Sequence, residues 1–460
     1  MSPPTTASPS QLPDYIASAK PNPPSNRAPW YKNTAPTYAG IFLWFIFWDS
    51  IAGKALMAGG LGATLLGILL AGLLCHFLFY LVPGLLGRKT GLPLYIVGTS
   101  TFGAMGGLFM PGLLMGLLQF GWLGVNTFGA ADYLANKGFH VPALFYPLCV
   151  LWALGAAFVG LKGIQYVAKI ATFLPVIPLA VLLIGLVLFG GSGFSYSPPV
   201  ETAQAGGELT AILLIVGGIV GFFATAGAAG VDFGMNSKDD KDVEMGGYVG
   251  IIAAILVTAG ISAIALAGAW AAGIIEPDFL NDTGVRMTDA LERKLPGAYP
   301  WIMIGLTLAA FPGACFSSFI AANSFKTVLP KVNPFLSVGI GAIVSIILAV
   351  TKVAGNLGGV FGIIGASFGP ICGAMAADYL LAGNRWSGPR AGFNPAGWIA
   401  WAIGFLVGIL PNLHGRYPVI PDVPAAPVAA FIVGFAVYFA SAKIGLIAPV
   451  ISMPNRADGS

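Results

Sequence analysis

Long apolar stretches separated by short polar connections run from about residue 36 almost to the end of the chain. A helix needs about 20 mostly apolar residues to cross the hydrocarbon core of a bilayer. Windows of that size fall at roughly 36–58, 62–83, 104–134, 142–161, 165–190, 208–233, 246–274, 298–324, 333–352, 355–383, 394–411 and 424–448. The pattern predicts an all-α polytopic membrane protein with twelve transmembrane helices. The third and seventh windows are long enough to need tilt or loop at one end. Residues 1–35 are rich in Pro, Ser and Thr and hold no apolar run, so they predict a disordered tail rather than a secretory signal. Residues 449–460 form a short second tail.

Composition excludes a soluble protein: 57% of residues are hydrophobic, 9% are charged, and the mean hydropathy is +0.83. Lys and Arg then orient the spans. With a cytoplasmic N-terminus, the inner segments carry Lys20, Arg27, Lys32, Arg88, Lys89, Lys162, Lys238, Lys241, Lys326, Lys331, Arg385, Arg390 and Arg456. The outer ones carry only Lys137, Arg286, Arg293, Lys294, Lys352 and Arg416, so both termini are predicted inside an inner (plasma) membrane. Because the cations sit at span ends rather than in one cluster, the basic pI of about 8.8 does not point to nucleic acid. Cys75, Cys149, Cys315 and Cys372 lie in apolar surroundings without metal-type spacing and predict packing.

Three features inside the spans carry candidate chemistry. A charge at the bilayer centre costs about 2.5–3.5 kcal/mol on insertion scales, which singles out Asp49 and, nearer span ends, Lys54 and Lys169. Asp49 either forms a neutralising pair with Lys54 or meets a cation, a proton or a substrate amine, and Lys169 either snorkels or supplies fixed charge near a cation site. Second, glycine numbers 64, about twice its usual share, and "GGIVGFFATAGAAGVDFG" at 217–234 is a weakly helical centre for a span. Such glycines either let helices approach closely or mark a break that lines a cavity. The first span, with "AGKALMAGGLG", is weak in the same way, and the two stand five places apart in the order of spans, as in a pair of inverted five-helix repeats. Third, the outer loop "IEPDFLNDTGVRMTDALERKLPG" contains a short capped helix that is either a solvated surface helix or a gate over an outward-facing cavity.

Four stretches in order resemble the nucleobase:cation symporter family 1, the cytosine, purine, uracil, allantoin and hydantoin permeases. They are "TSTFGAMGG", "PGLLMGLLQFGWLGVNTFGAADY", "GFFATAGAAGVDFGMNSK" and "GASFGPICGAMAADYLLAGNR". The resemblance implies a leucine-transporter-like 5+5 inverted repeat, at 36–190 and 208–383, with two further helices at 394–448. It also implies a substrate site between broken first and sixth helices and the third and eighth. Carried over by position, Trp122 and Phe223 are the aromatic residues that sandwich a flat substrate, and Asn126 and Asn323 bond its rim. Trp48 joins these substrate-binding candidates. Ser317 and Ser318 match the hydroxyl pair of a sodium site, and Asp49 and Lys169 join them as candidates for ion coupling. The chemistry is consistent, since planar heterocycles ask for aromatic faces and a few amides, and sodium for hard oxygens. The sequence departs from the family at Thr99, where Arg is usual, and at "GMNSKDDKD" after Asp-Phe.

The expectation is a secondary transporter, not an enzyme, that imports a heterocycle with Na+ or H+ and uses no cofactor. Its partners are the small substrate and the lipid bilayer, with no nucleic acid. An amino-acid or amine carrier on the same fold, or a nontransporting nutrient sensor, stands beside it. His76, His140 and His414 have no metal-like partner at helical spacing, and no phosphate loop or nucleophile motif occurs.

Overall fold

A computed structural model describes residues 12–162, 174–198, 206–277 and 286–453. They are helical apart from connections and two isolated β-bridges, Ala28 with Ser237 and Arg390 with Val450. The backbone can satisfy its own hydrogen bonds in an apolar medium only this way or in a closed barrel. The helices used below are α1 (Thr34–Phe42), α2 (Phe45–Thr90), α3 (Leu108–Gly138), α4 (Pro142–Lys162), α5 (Val176–Ser195) and α6 (Gly207–Ala228). They continue with α7 (Asp240–Ala271), α8 (Met287–Lys294), α9 (Tyr299–Val328), α10 (Pro334–Val350), α11 (Leu357–Leu381), α12 (Pro395–His414) and α13 (Ala426–Lys443).

Among the described residues, ten helices are long and apolar enough to cross a membrane, and α10 is a shorter apolar helix. The count differs from twelve for a local reason. The first two apolar windows run together in α2, a 46-residue element turned only at Gly60, whose φ of 74° lies where a side chain would be strained. The first window is broken earlier than its glycines suggested, at Leu43 and Trp44, where ψ reaches 114° between α1 and α2.

The glycine-dense sixth window, in contrast, is not broken at its centre. α6 runs without interruption to Ala228, and only Ala229, with ψ −7°, offsets the final turn Gly230–Gly234. Its glycines serve contact. A Cβ on Gly221 would stand 2.8 Å from the Phe361 carbonyl oxygen of α11, and one on Gly227 2.7 Å from Phe79 Cβ of α2. One on Gly234 would run into the Gly84 carbonyl. Close backbone approach is what small residues provide where lipid supplies no hydrophobic drive between helices. α6 lies along α2 and α11, α13 along α11 and α12, and α9 along α3 and α4.

The N-terminal segment corrects the expectation of a disordered tail for residues 12–35; residues 1–11 lie outside the described residues. Leu12 and Ile16 are buried, and the Tyr15 hydroxyl donates to the Ala104 carbonyl. Asn22 is bonded to Gly91, Met235 and Asn236, Arg27 to the Arg88 carbonyl, and the Trp30 N–H to Asp242. A Pro-rich segment has no core of its own, but its polar backbone is satisfied by exposed helix ends and loops of the bundle. At the other end, Arg390 donates to Asp378 (3.0 Å) and to the Ser100 and Ala448 carbonyls, tying α11 to the chain on both sides.

Candidate functional site

The break after α1 points Trp44 into a cluster of rings drawn from three helices. Its ring centroid lies 6.0 Å from Trp122 of α3 and 6.1 Å from Phe222 of α6. Trp122 meets Phe222 edge-on at 5.1 Å and 88°, and Phe361 of α11 lies 5.6 Å from Trp122 and 5.4 Å from Phe222. The Trp122 indole N–H donates to Thr225 (3.2 Å), which ties α3 to α6. The Trp44 indole nitrogen is buried with no hydrogen-bond partner. Two aromatic faces and an unused donor are suited to a flat, polar-rimmed molecule.

Phe223 is not in this cluster. It is wholly buried behind it, stacked on Phe42 at 5.7 Å and 18° and packed on Tyr38 at 5.5 Å. Adjacent helical residues differ in direction by about 100°, so a one-residue error in register exchanges the site-facing ring for a core ring. Phe222 is the sixth-span aromatic that meets Trp122.

The other candidates divide. Asn126 is buried and committed to protein, its amide donating to the Ala310 carbonyl (3.1 Å) and its oxygen accepting from the Trp152 indole (2.9 Å). Asn323 is exposed near the end of α9. Ser317 and Ser318 are both buried, and Ser318 donates to the Ala314 carbonyl of its own helix, leaving its oxygen able to accept or to bind a cation. α4 presses close here, with a Cβ on Gly160 only 2.7 Å from Ser318 Cβ. The Trp48 side chain and Lys169 lie outside the described residues.

Asp49, 4% exposed, belongs to a second site. Its carboxylate accepts from the Tyr133 hydroxyl of α3 (2.5 Å), the Thr288 hydroxyl (2.8 Å) and the Thr288 N–H (3.3 Å). Thr288 is in α8, so the loop helix covers the end of the bundle and is pinned there by a buried acid. Lys137 of α3 bonds Asp289 of the same helix (2.5 Å), and Asp289 in turn accepts from the Arg286 N–H (2.7 Å). Burial alone would lower the affinity of Arg286 for its proton, but Tyr133, Asp49, Asp289 and Asp132 together hold its pKa above the ordinary value. Arg286, Tyr133, Asp132 and Ser50 line a small cavity beneath the lid. Lys54, the alternative partner considered for Asp49, is exposed.

Comparison with known proteins follows the same lines. No family model matches the sequence. A putative allantoin permease of Escherichia coli (strain K12) is 26% identical over 365 residues, covering 71% of this chain and 72% of that protein. The cytosine permease of the same organism is 27% identical over 327 residues, covering 70% and 71%. Among solved structures, the inward-facing conformation of Mhp1 aligns with a TM-score of 0.63 at 17% identity, covering 94% of this chain and 96% of that one. Mhp1, a nucleobase-cation-symport-1 family transporter, in a closed conformation with bromovinylhydantoin bound, gives 0.61 at 17%, covering 96% and 97%. The chain resembles nucleobase:cation symporter family 1. A Na+-coupled sialic acid symporter in a substrate-bound outward-open state shares the fold at a TM-score of 0.61 and 15% identity, covering 96% and 94%. The chain is thus a multi-pass membrane protein whose sequence relatives are permeases.

Of the side chains gathered here, Trp44, Phe222, Phe361, Thr225, Tyr133 and Thr288 were not singled out from the sequence. No glycine or proline marks the break at Leu43 and Trp44, so none of these side chains carried a signal of its own in the sequence.

Proposed function

We propose that the protein is a secondary active transporter that imports a nucleobase or related planar heterocycle of the cytosine, purine, uracil, allantoin or hydantoin class, coupled to Na+ or H+ by alternating access. The observation that carries this reading is the ring cluster of Trp44, Trp122, Phe222 and Phe361, assembled where the first helix is interrupted. The relatives' substrates and the bound hydantoin of Mhp1 favour the same ligand class.

Twelve crossings follow if α2 is counted as two, on either side of Gly60, and α10 is added to the others. The repeats then run 36–190 and 208–383, followed by 394–448, and both termini face the cytoplasm of an inner (plasma) membrane, in keeping with the Lys and Arg distribution. Trp122 and Phe222, in edge contact with each other, form part of one wall of the substrate site; Asn126 holds α3 to α4 and α9 behind it. Ser317 and Ser318 are the candidate oxygen ligands for a coupling Na+. Asp49 acts as the latch of an outer lid formed by α8. Its carboxylate is occupied by Tyr133 and Thr288, which argues against a counter-ion for a substrate amine and hence against an amino-acid carrier.

A thermal-shift screen of purified protein against cytosine, allantoin, hydantoin and amino acids, with and without Na+, tests the substrate class. Trp122→Ala and Phe222→Ala are expected to weaken binding of the stabilising compound at least about fivefold, one ring face contributing about 1 kcal/mol or more. Unchanged affinity in both folded variants refutes the pocket. Phe223→Ala, a core truncation, is expected to lower stability by about 3–5 kcal/mol instead.

A further inference from the structure

We propose that His76 is a proton-binding site in the membrane-embedded bundle and the group through which a pH gradient drives uptake. This rests on the transport reading above and assigns its coupling ion. His76 sits in the second half of α2 and is 0% exposed, and neither ring nitrogen has a hydrogen-bond partner. Leaving a buried polar atom unmet costs about 1–3 kcal/mol, and a phenyl ring would fill the same space without that cost. An ionisable side chain at membrane depth is by default a candidate for function.

The surroundings suit a cation that comes and goes. The imidazole centroid lies 4.6 Å from the rings of Phe77 and Tyr248 and 5.9 Å from Tyr80, all within the range over which an aromatic ring attracts a positive charge. Two π-helical turns, Cys75–Tyr80 in α2 and Tyr248–Ala253 in α7, meet at this point, and such turns recur at functional positions. Gly247 admits the imidazole, since a Cβ there would collide with its Nδ1.

The titratable groups around it come from its own helix, α7 and α1, and α6 adds none. Cys75 and Tyr80 are on its own helix, and Tyr248 is on α7. Tyr38 of α1 lies 5.2 Å from Tyr80, and α6 presents Gly227 and Phe223 to this region. The acids at the start of α7 are engaged or solvated: Asp240 pairs with Arg88, Asp242 accepts from the Trp30 N–H, and Glu244 is exposed.

α1 joins this site to the ring cluster. Its residues Thr34 and Ala35 pack on Gly246 and Gly250 of α7, and its Tyr38 and Phe42 pack on Phe223. The chain then breaks at Leu43 and places Trp44 among the substrate rings. A displacement of α1 that unpacks the substrate rings also withdraws Tyr38 from Tyr80, which packs on His76, so one moving element touches the surroundings of both sites.

The test uses full-length protein in proteoliposomes with radiolabelled cytosine, allantoin and hydantoin as probes, in one arm Na+-free with a pH gradient and in the other with a Na+ gradient and equal pH. With one proton per substrate, a gradient of about one pH unit, alkaline inside, drives accumulation of about tenfold. His76→Phe, which keeps the ring, is expected to lose this accumulation while retaining probe exchange at equal concentrations. His76→Gln, polar but without a titrating proton, is expected to behave likewise and stands in if the Phe variant does not fold. Gradient-driven accumulation that survives in either variant overturns the proposal, as does wild-type accumulation that answers to Na+ alone. Wild-type protein that carries none of the probes instead refutes the transport reading on which the proposal rests.

Discussion

Replacing Asp49 by Asn probes the lid with almost no change of shape. In the structure the carboxylate accepts from the Tyr133 and Thr288 hydroxyls at 2.5 and 2.8 Å and from the Thr288 N–H at 3.3 Å. A hydrogen bond to a charged group contributes about 1.5–3 kcal/mol and a neutral one about 0.5–1.5 kcal/mol. An amide keeps one acceptor oxygen, so the two short bonds weaken by about 1–1.5 kcal/mol each, a total of about 2–3 kcal/mol. At 1.4 kcal/mol per factor of ten, the lid-opening equilibrium shifts by about 30- to 150-fold. Hydrogen exchange of peptides covering 287–294 reads this directly: protection there is expected to fall by that factor while peptides from α11 keep theirs. Undiminished protection of α8 in a folded Asp49→Asn protein would refute the latch.

Four further outcomes test the fold around the sites. Gly234→Ala drives a methyl into the Gly84 carbonyl and is expected to lower stability by about 1–3 kcal/mol in thermal unfolding. Gly62→Ala, with no atom within 4 Å of the new Cβ, is expected to be neutral or stabilising by up to about 1 kcal/mol. Arg390→Ala strands the buried Asp378 carboxylate and is expected to cost about 3–5 kcal/mol, read as a lower Tm. Asp232, beyond the end of α6, accepts from the Leu94 N–H, but burial is the larger effect and pushes its pKa up to about 6. The folded state therefore holds this proton more tightly than the unfolded chain, so stability falls as pH rises from about 4 through 6, by up to about 3 kcal/mol. Thermal unfolding of Asp232→Asn is expected to lack that slope.

The helices themselves were legible because hydropathy and length belong to one segment at a time. The windows that became α3, α4, α7, α9, α11, α12 and α13 needed no partner to be recognised. Asp49 was singled out correctly as a costly buried charge, and the loop containing α8 was read as either a surface helix or a gate. What paired the two was tertiary: Thr288 lies 239 positions from Asp49 in the chain, and no local pattern relates them. The N-terminal segment failed for the same reason, since its composition describes a chain that cannot build a core alone, while the finished bundle offers it the partners it lacks.

What the sequence determined by itself is the medium and the class: apolar runs of bilayer length require helices. What only the tertiary structure decided is which atoms face one another. Phe222 and Phe223 are equivalent to any hydropathy measure, yet one meets Trp122 and the other fills the core, because a helix turns by about 100° per residue. The glycines of α6 signalled either a break or a close crossing, and only the position of the neighbouring backbones, at Phe361, Phe79 and Gly84, made them a crossing.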